Sequence, residues 1–195
     1  MIAYRLMKPV DTYDVIDLDP AVMAKQIAKS TGLTFGEAVR IVMNDIPSGD
    51  KTLMELSKSG FECKHNKNAK KQNYDVNLYG NFLVLNKLAH DCLYKVLQGF
   101  GEFIPLKTDS IELFLFNPLT FAREDLTLTE KAYVDGFEYG LKNLTFENDD
   151  IDKKLIFKSK LQGGLSIYCN NELIELINKN NLSGITFNED LLSIF

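Results

Sequence analysis

An α+β fold is predicted by three features of this 195-residue chain. β-rich runs and capped amphipathic helices are interleaved without the strict alternation of a parallel α/β protein. The apolar fraction, 45%, suffices for a substantial core, and 25% charged residues with a mean hydropathy of −0.12 describe a water-soluble globule. The length suits one domain, 1–195, with a mixed or mainly antiparallel sheet and several packed helices. Within it, 1–60 reads as a helical N-terminal part and 74–195 as the α+β part.

Residues 2–7 (IAYRLM) form a first strand, ended near Pro9. Asp19-Pro20 opens a helix, since Asp caps and Pro suits the first turn. Val22, Met23 and Ile27, with Ala24 and Ala28 alongside, make its inner face, and Gly32 closes it. Thr34 and Glu37 are a capping box for a second helix. Its apolar face is Ala38, Val39, Val42 and Met43, and Pro47-Ser48-Gly49 ends it. Residues 51–58 fit a short helix or a strand equally well. Residues 62–73 (ECKHNKNAKKQN) are basic and aperiodic, and read as a solvated loop rather than a nucleic-acid site.

Residues 82–85 form a buried strand, and Asn86 caps a helix to about Gln98 with Leu88, Cys92, Leu93, Val96 and Leu97 inward. Gly99 and Gly101 end it; strands follow at 102–106 and at 111–116 (IELFLF), the latter stopped by Asn117-Pro118. Residues 119–150 alternate short β-like pieces with turns, among them Asp135-Gly136 and Asn148-Asp149-Asp150. The last block reads as strands at 155–158 and 165–169 around a Gln162-Gly163-Gly164 turn. A helix over 172–180 follows, with Leu173, Ile174 and Ile177 inward, and then a strand at 185–187. No internal repeat is visible in the sequence.

Chemistry-bearing motifs are missing. There is no nucleophile elbow, Walker loop or dinucleotide fingerprint, and the Gly99/Gly101 pair follows a helix instead of preceding one. His90 neighbours Asp91 and Cys92 at positions that point to different helix faces, which argues against a local dyad. Cys63-x-His65 lacks the second ligand pair of a zinc site, and the acidic stretch near Asp150 lacks the glycine of a calcium loop. No catalytic residue, cofactor or metal is expected. No apolar run approaches the ~20 residues of a membrane span. The N-terminus lacks a signal-peptide core. Cys63, Cys92 and Cys169, odd in number and far apart, read as reduced thiols, with Cys92 and Cys169 buried. A cytoplasmic setting is expected, with no membrane partner.

Charge is distributed unevenly. Residues 1–100 carry 13 basic and 11 acidic residues, whereas 101–195 carry 9 and 16, a net −7. The acidic half is unsuited to nucleic acid and suits a basic partner. Between Glu124 and Asp152, nine acids and two lysines surround Tyr133, Phe137, Tyr139 and Phe146. Rings anchor an interface while charges steer the encounter. Glu124, Asp125, Tyr133, Asp135, Glu138, Asp149, Asp150 and Asp152 are therefore the candidate partner-binding residues. The competing arrangement puts the rings in the core and the acids in water.

Two segments carry a family resemblance: YDVNLYGNFLVLNKLAHDCLYKVLQGFGEFIPL (74–106) and LIFKSKLQGGLSIYCNNELIELINKNNLSGITF (155–187). They resemble immunity family eleven of the bacterial polymorphic toxin systems, formerly a domain of unknown function. The shared motifs are an opening Asp (Asp75), a Glu-x-x-Pro strand (Glu102, Pro105) and a terminal Leu-x-Gly-hydrophobic-x-Phe (Leu182, Gly184, Phe187). They cover half to two-thirds of the chain; the first 60 residues match only loosely. The resemblance implies a cytosolic protein, encoded beside a toxin, that neutralises the toxin by occluding its active site. The acidic half adds a basic, nuclease-like toxin as the partner suited to it. A non-catalytic adaptor and a small carboxylate-dependent hydrolase remain as alternatives.

Overall fold

Hydrogen-bonded side-chain caps start five of the helices. The computed structural model describes residues 2–10, 14–66, 74–109 and 111–193. After strands β1 (Ala3–Met7) and β2 (Ile16–Asp17), Asp19 accepts a hydrogen bond from the Val22 N–H (2.8 Å) and starts α1 (Pro20–Thr31). The Thr34/Glu37 capping box starts α2 (Phe35–Arg40), which continues through a π-helical segment (Ile41–Asp45) into α3 (Ile46–Ser48). Pro47 accounts for the wide turn, because it has no N–H and its ring crowds the carbonyl four residues back. A second capping box, Thr52 with Glu55, makes 51–58 helical as α4 (Leu53–Leu56). Strands β3 (Phe61–Glu62) and β4 (Lys64–His65) occupy the start of the stretch expected to be a loop; 67–73 lie outside the described residues.

Next come β5 (Val76–Tyr79), β6 (Phe82–Asn86), α5 (Lys87–Leu97), β7 (Gly101–Lys107) and β8 (Leu113–Pro118). They are followed by β9 (Glu130–Val134), β10 (Phe137–Asn143) and α6 (Asn148–Ile151), a helical turn where a loop turn was expected. The chain closes with β11 (Ile156–Lys158), β12 (Ile167–Asn170), α7 (Asn171–Lys179) and β13 (Thr186–Asn188). The class is α+β.

One architecture occurs twice. A five-stranded sheet has the order β3-β7-β8-β6-β5, and a four-stranded sheet has the order β11-β12-β1-β13. Only β3 beside β7 is parallel among the paired strands of these sheets. The unit β5-β6-α5-β7 with β8 has the same strand order and pairing as β11-β12-α7-β13 with β1. In each, an asparagine ends the second strand and caps the helix, Asn86 accepting from Ala89 N–H and Asn170 from Leu173 N–H. Each of these asparagines also donates its backbone N–H to the carbonyl just before its unit's first strand, Asp75 (2.9 Å) or Leu155 (3.2 Å). The repeat is one of architecture, which the sequence does not show. Because β1 lies between β12 and β13, the N-terminal residues complete the C-terminal unit; 1–60 is not a separate helical part.

Three cores result. The first packs α1, α2 and the π segment on one face of the five-stranded sheet, through Met23, Ile27, Ile46, Val84, Ile104 and Leu115. The central core joins the opposite face to α5, α7 and the four-stranded sheet, with Leu6, Leu85, Leu93, Phe116, Ile167 and Leu173. The third lies on the far side of the four-stranded sheet, where Phe157 and Tyr168 meet Phe146 and Ile151. Period-2 alternation sends Ile167 and Cys169 to one side and Tyr168 to the other. Helix α5 buries Leu93 and Leu97 as expected, with Cys92 and Val96 half-buried against the same core; Ala89 joins the inner face, whereas Leu88 is exposed. Strands β8 and β12 also begin two residues late, leaving Ile111 and Leu165 exposed.

The two units are stapled by Asp75. Its carboxylate accepts hydrogen bonds from the Asn86 amide (2.9 Å) and from the backbone N–H and hydroxyl of Ser183 (2.9 and 2.8 Å). Val76 N–H donates to the Ser183 carbonyl at 3.0 Å. The approach requires glycine at 184: a Cβ there would lie 2.1 Å from the Val76 carbonyl oxygen, and φ is +106°. Glu102 is a second staple, accepting from the N–H groups of Leu53 and Met54 at the start of α4 and from the Asn117 amide. Lys158 is fully buried, with its ammonium 5.1 Å from the Phe121 ring centre and 3.5 Å from the Ile46 carbonyl. Burial lowers its pKa to about 8, against an opposing pull from Glu102.

Both charges make pH-dependent predictions. Partial burial raises the Asp75 pKa, but the hydrogen bonds from Ser183 and Asn86 outweigh it and leave the pKa below the usual value. Asp75 therefore stabilises the fold above the unfolded carboxylate pKa, and this is lost as pH falls through the folded pKa. Asp75→Asn is expected to cost about 1–3 kcal/mol at pH 7 in urea unfolding, with the gap to wild type shrinking towards pH 3. For Lys158 stability again rises with pH, but here because the fold penalises the charged form. The unfolded chain keeps its proton to about 10.5 and the folded chain releases it near 8, so stability rises with pH between the two. Lys158→Met removes a penalty of roughly 3 kcal/mol, so its advantage over wild type should fall from pH 8 to pH 10. A difference independent of pH would refute this.

Candidate partner-binding surface

Residues 119–152 link the two units and build a two-stranded arm. At its root, Ala122 N–H donates to the Lys158 carbonyl, Glu147 N–H to Arg123, and Asp125 N–H to Thr145. Beyond Thr129 the arm continues as β9 and β10, whose strands pair antiparallel with irregularities between Glu138 and Asn143. Asp135 and Gly136 form the tip, both at positive φ (51° and 83°), as a two-residue hairpin of right-handed twist demands.

Root and tip differ in their environment. Ala122, Leu144 and Phe146 are buried in the third core, the Phe146 ring meeting Phe157 and Tyr168 edge-on at 5.1 and 5.2 Å. The tip presents apolar side chains to solvent: Phe137 is 79% exposed and Tyr139 78%, with Tyr133 and Val134 also exposed. Val134 is the cross-strand partner of Phe137, so these two and Tyr139 share one face, while Tyr133 and Glu138 pair on the other. The rings thus divide: Phe146 is core, and Tyr133, Phe137 and Tyr139 face water.

The candidate residues fall into three groups. Tyr133, Asp135 and Glu138 sit together at the tip. Asp149 and Asp152 are exposed on the turn of α6, Asp149 lying 3.5 Å from the Arg123 guanidinium. The other three brace the arm. Glu124 accepts from the Ser159 hydroxyl (2.7 Å) and Leu161 N–H (3.1 Å). Asp125 accepts from the Thr127 hydroxyl and N–H, which hold its carboxyl below the usual range. Asp150 accepts from Arg123 N–H (2.8 Å) and the Lys154 ammonium (2.5 Å); these bonds overcome burial and lower its pKa. The arm's lysines are paired as well, Lys131 with Glu138 and Lys142 with Glu130, both at 2.8 Å. Nine acids thus present fewer free charges than the count implies. Val134, Leu126 and Leu128 are exposed too and were not singled out by sequence; their place beside turn residues was the available signal.

His90 is 3.2 Å from the Asp91 carboxylate, a contact that helical spacing argued against, and its ring stacks on Phe114 at 3.7 Å. The Cys63 thiol is pushed up to about 11 by burial and by Asp109 and Asp17, and burial raises the Cys169 thiol further. Among the described residues, no group of three or more His, Cys, Asp and Glu could hold a metal ion. No helix among them is long and apolar enough to cross a membrane.

No family model matches the chain, and no curated protein matches it. The likeness to immunity family eleven rests on the motifs quoted above. Asp75, Gly184 and Glu102 among them are joints of the scaffold.

The division between root and tip is measurable by urea unfolding. Phe146→Ala should destabilise the chain by about 3–5 kcal/mol. Phe137→Ala should change stability by less than about 0.5 kcal/mol. Equal losses would mean that the tip belongs to the core.

Proposed function

We propose that this chain is a bacterial immunity protein acting in the cytoplasm, without catalysis, by pushing the arm into the active site of a toxin encoded beside it. The observation that carries the reading is the exposed aromatic tip on a braced root. A preformed hairpin pays little ordering entropy on binding. Aromatic side chains supply most of the energy of such contacts. A projecting arm complements a concave partner, and the commonest concavity of an enzyme is its active site. Asp135 at the tip, with Asp149 and Asp152 near the root, suits a basic cleft such as that of a nuclease. The adaptor reading uses the same arm on a partner that is not a toxin. The hydrolase reading draws less support, since Glu124, Asp125 and Asp150 are engaged by backbone N–H groups.

Co-expression is the direct test. The product of the adjacent gene should arrest growth alone and not together with this chain; arrest in both cases removes the immunity reading. With that partner in hand, Phe137→Ser combined with Tyr139→Ser should raise Kd by more than about 30-fold, each ring being worth upwards of 1 kcal/mol. Charge reversal at Asp149 and Asp152 should slow association more at low salt than at high salt. An on-rate that ignores both charge and salt would take these acids out of the interface.

A further inference from the structure

A recess of about 380 Å³ opens between α1, the π segment and the turn joining β5 to β6. Its floor is Leu18, Met23, Val42 and Phe82, all buried members of the first core. Met43 and Leu165 stand at its mouth, 51% and 61% exposed. The size and apolar walls are those of small-molecule sites, and the methionines allow the wall to adapt.

Two hydrogen-bond donors line it without an acceptor among the described residues. The part-buried Tyr79 hydroxyl oxygen accepts from Leu18 N–H at 3.3 Å and donates to no described residue. The Asn81 amide nitrogen is buried without a partner. Only Gly80 separates the two residues, so both donors come from one turn. A buried donor left unmade, as at Asn81, is costly and uncommon, and a bound acceptor is one way to satisfy it.

The sign of the ligand follows from its surroundings. Asp14, on the wall, is paired with Lys8. Burial pushes the Tyr79 pKa up against the Leu18 hydrogen bond, helped by Asp14, Asp19 and Asp17, so its proton stays in place. The same three carboxylates repel an anion. The walls come from four stretches of chain, 14–23, 42–47, 79–82 and residue 165, that converge on a pit.

We infer that this recess binds a free small molecule with an apolar tail and a neutral carbonyl head, such as an acyl amide, its carbonyl accepting from Tyr79 and Asn81. The site is independent of the arm and of the toxin reading.

Three probes with one eight-carbon tail test it on the full chain: octanamide, octanoate and octylamine, followed by calorimetry and by NMR of the methyl groups of Met43 and Leu165. Octanamide should bind saturably, at least about tenfold tighter than either charged probe. Asn81→Leu should weaken octanamide about tenfold and leave octanoate unchanged. Leu165→Arg, at an exposed position, should abolish binding with the urea midpoint retained, and Met43→Arg provides the same blockade should Leu165→Arg not fold. Equal affinity for the three heads, tighter binding of octylamine, or no saturable binding of octanamide would overturn the inference.

Discussion

The Asp75 carboxylate fixes how the two units of the fold meet. It spends its acceptor capacity on Asn86 in its own unit and on Ser183 in the other. The backbone pairing of Val76 with Ser183 runs alongside, and Gly184 permits the close approach. Both ends of the staple belong to segments that also order a helix, since Asn86 caps α5 and Ser183 follows α7 closely. The central core therefore depends on a charge-assisted contact between residues 108 apart in the chain. Asp75 and the 182–184 segment are the two sides of this joint.

A fixed body gives the connector between the units its meaning. The connector leaves from β8, returns to β11, and is anchored to the second unit by Phe146 in the third core and by Glu124 on the 159–161 turn. Beyond that anchor the strands bond to each other, and their apolar face has no counterpart in the cores apart from Leu141, which packs against the third. A natural protein that leaves large rings on a projecting hairpin accepts an aggregation risk, and a partner that covers them is the ordinary reason for it.

Local signals in the sequence were legible because their physics is local. The caps at Asp19, Thr34 and Asn86 are side-chain to backbone contacts three residues long, and their patterns announce them. Thr52 and Glu55 were equally readable, but the four-residue helix that they start gives no periodicity to support them. Position along the chain concealed the rest. Strand β1 completes a sheet whose other members lie over 150 residues later. Lys158 looks like a surface residue after Phe157, yet the bridge to Phe121 and the packing of α3 bury it. In the acidic tract the ring-and-charge mixture was visible, whereas the contact of Glu124 with Ser159, 35 residues away, was not. Composition located the surface, and tertiary hydrogen bonds decided which of its acids remain available to a partner.

The claim that a rigid body holds out a separable binding arm is tested most directly by amide hydrogen exchange along the whole chain, alone and with the product of the adjacent gene. The account predicts fast exchange of 130–143 in the free chain relative to β6 and β12. With partner bound, protection should increase by more than about tenfold at 130–143, with little change in the central core. Protection that appears on the body while 130–143 continues to exchange freely would contradict it.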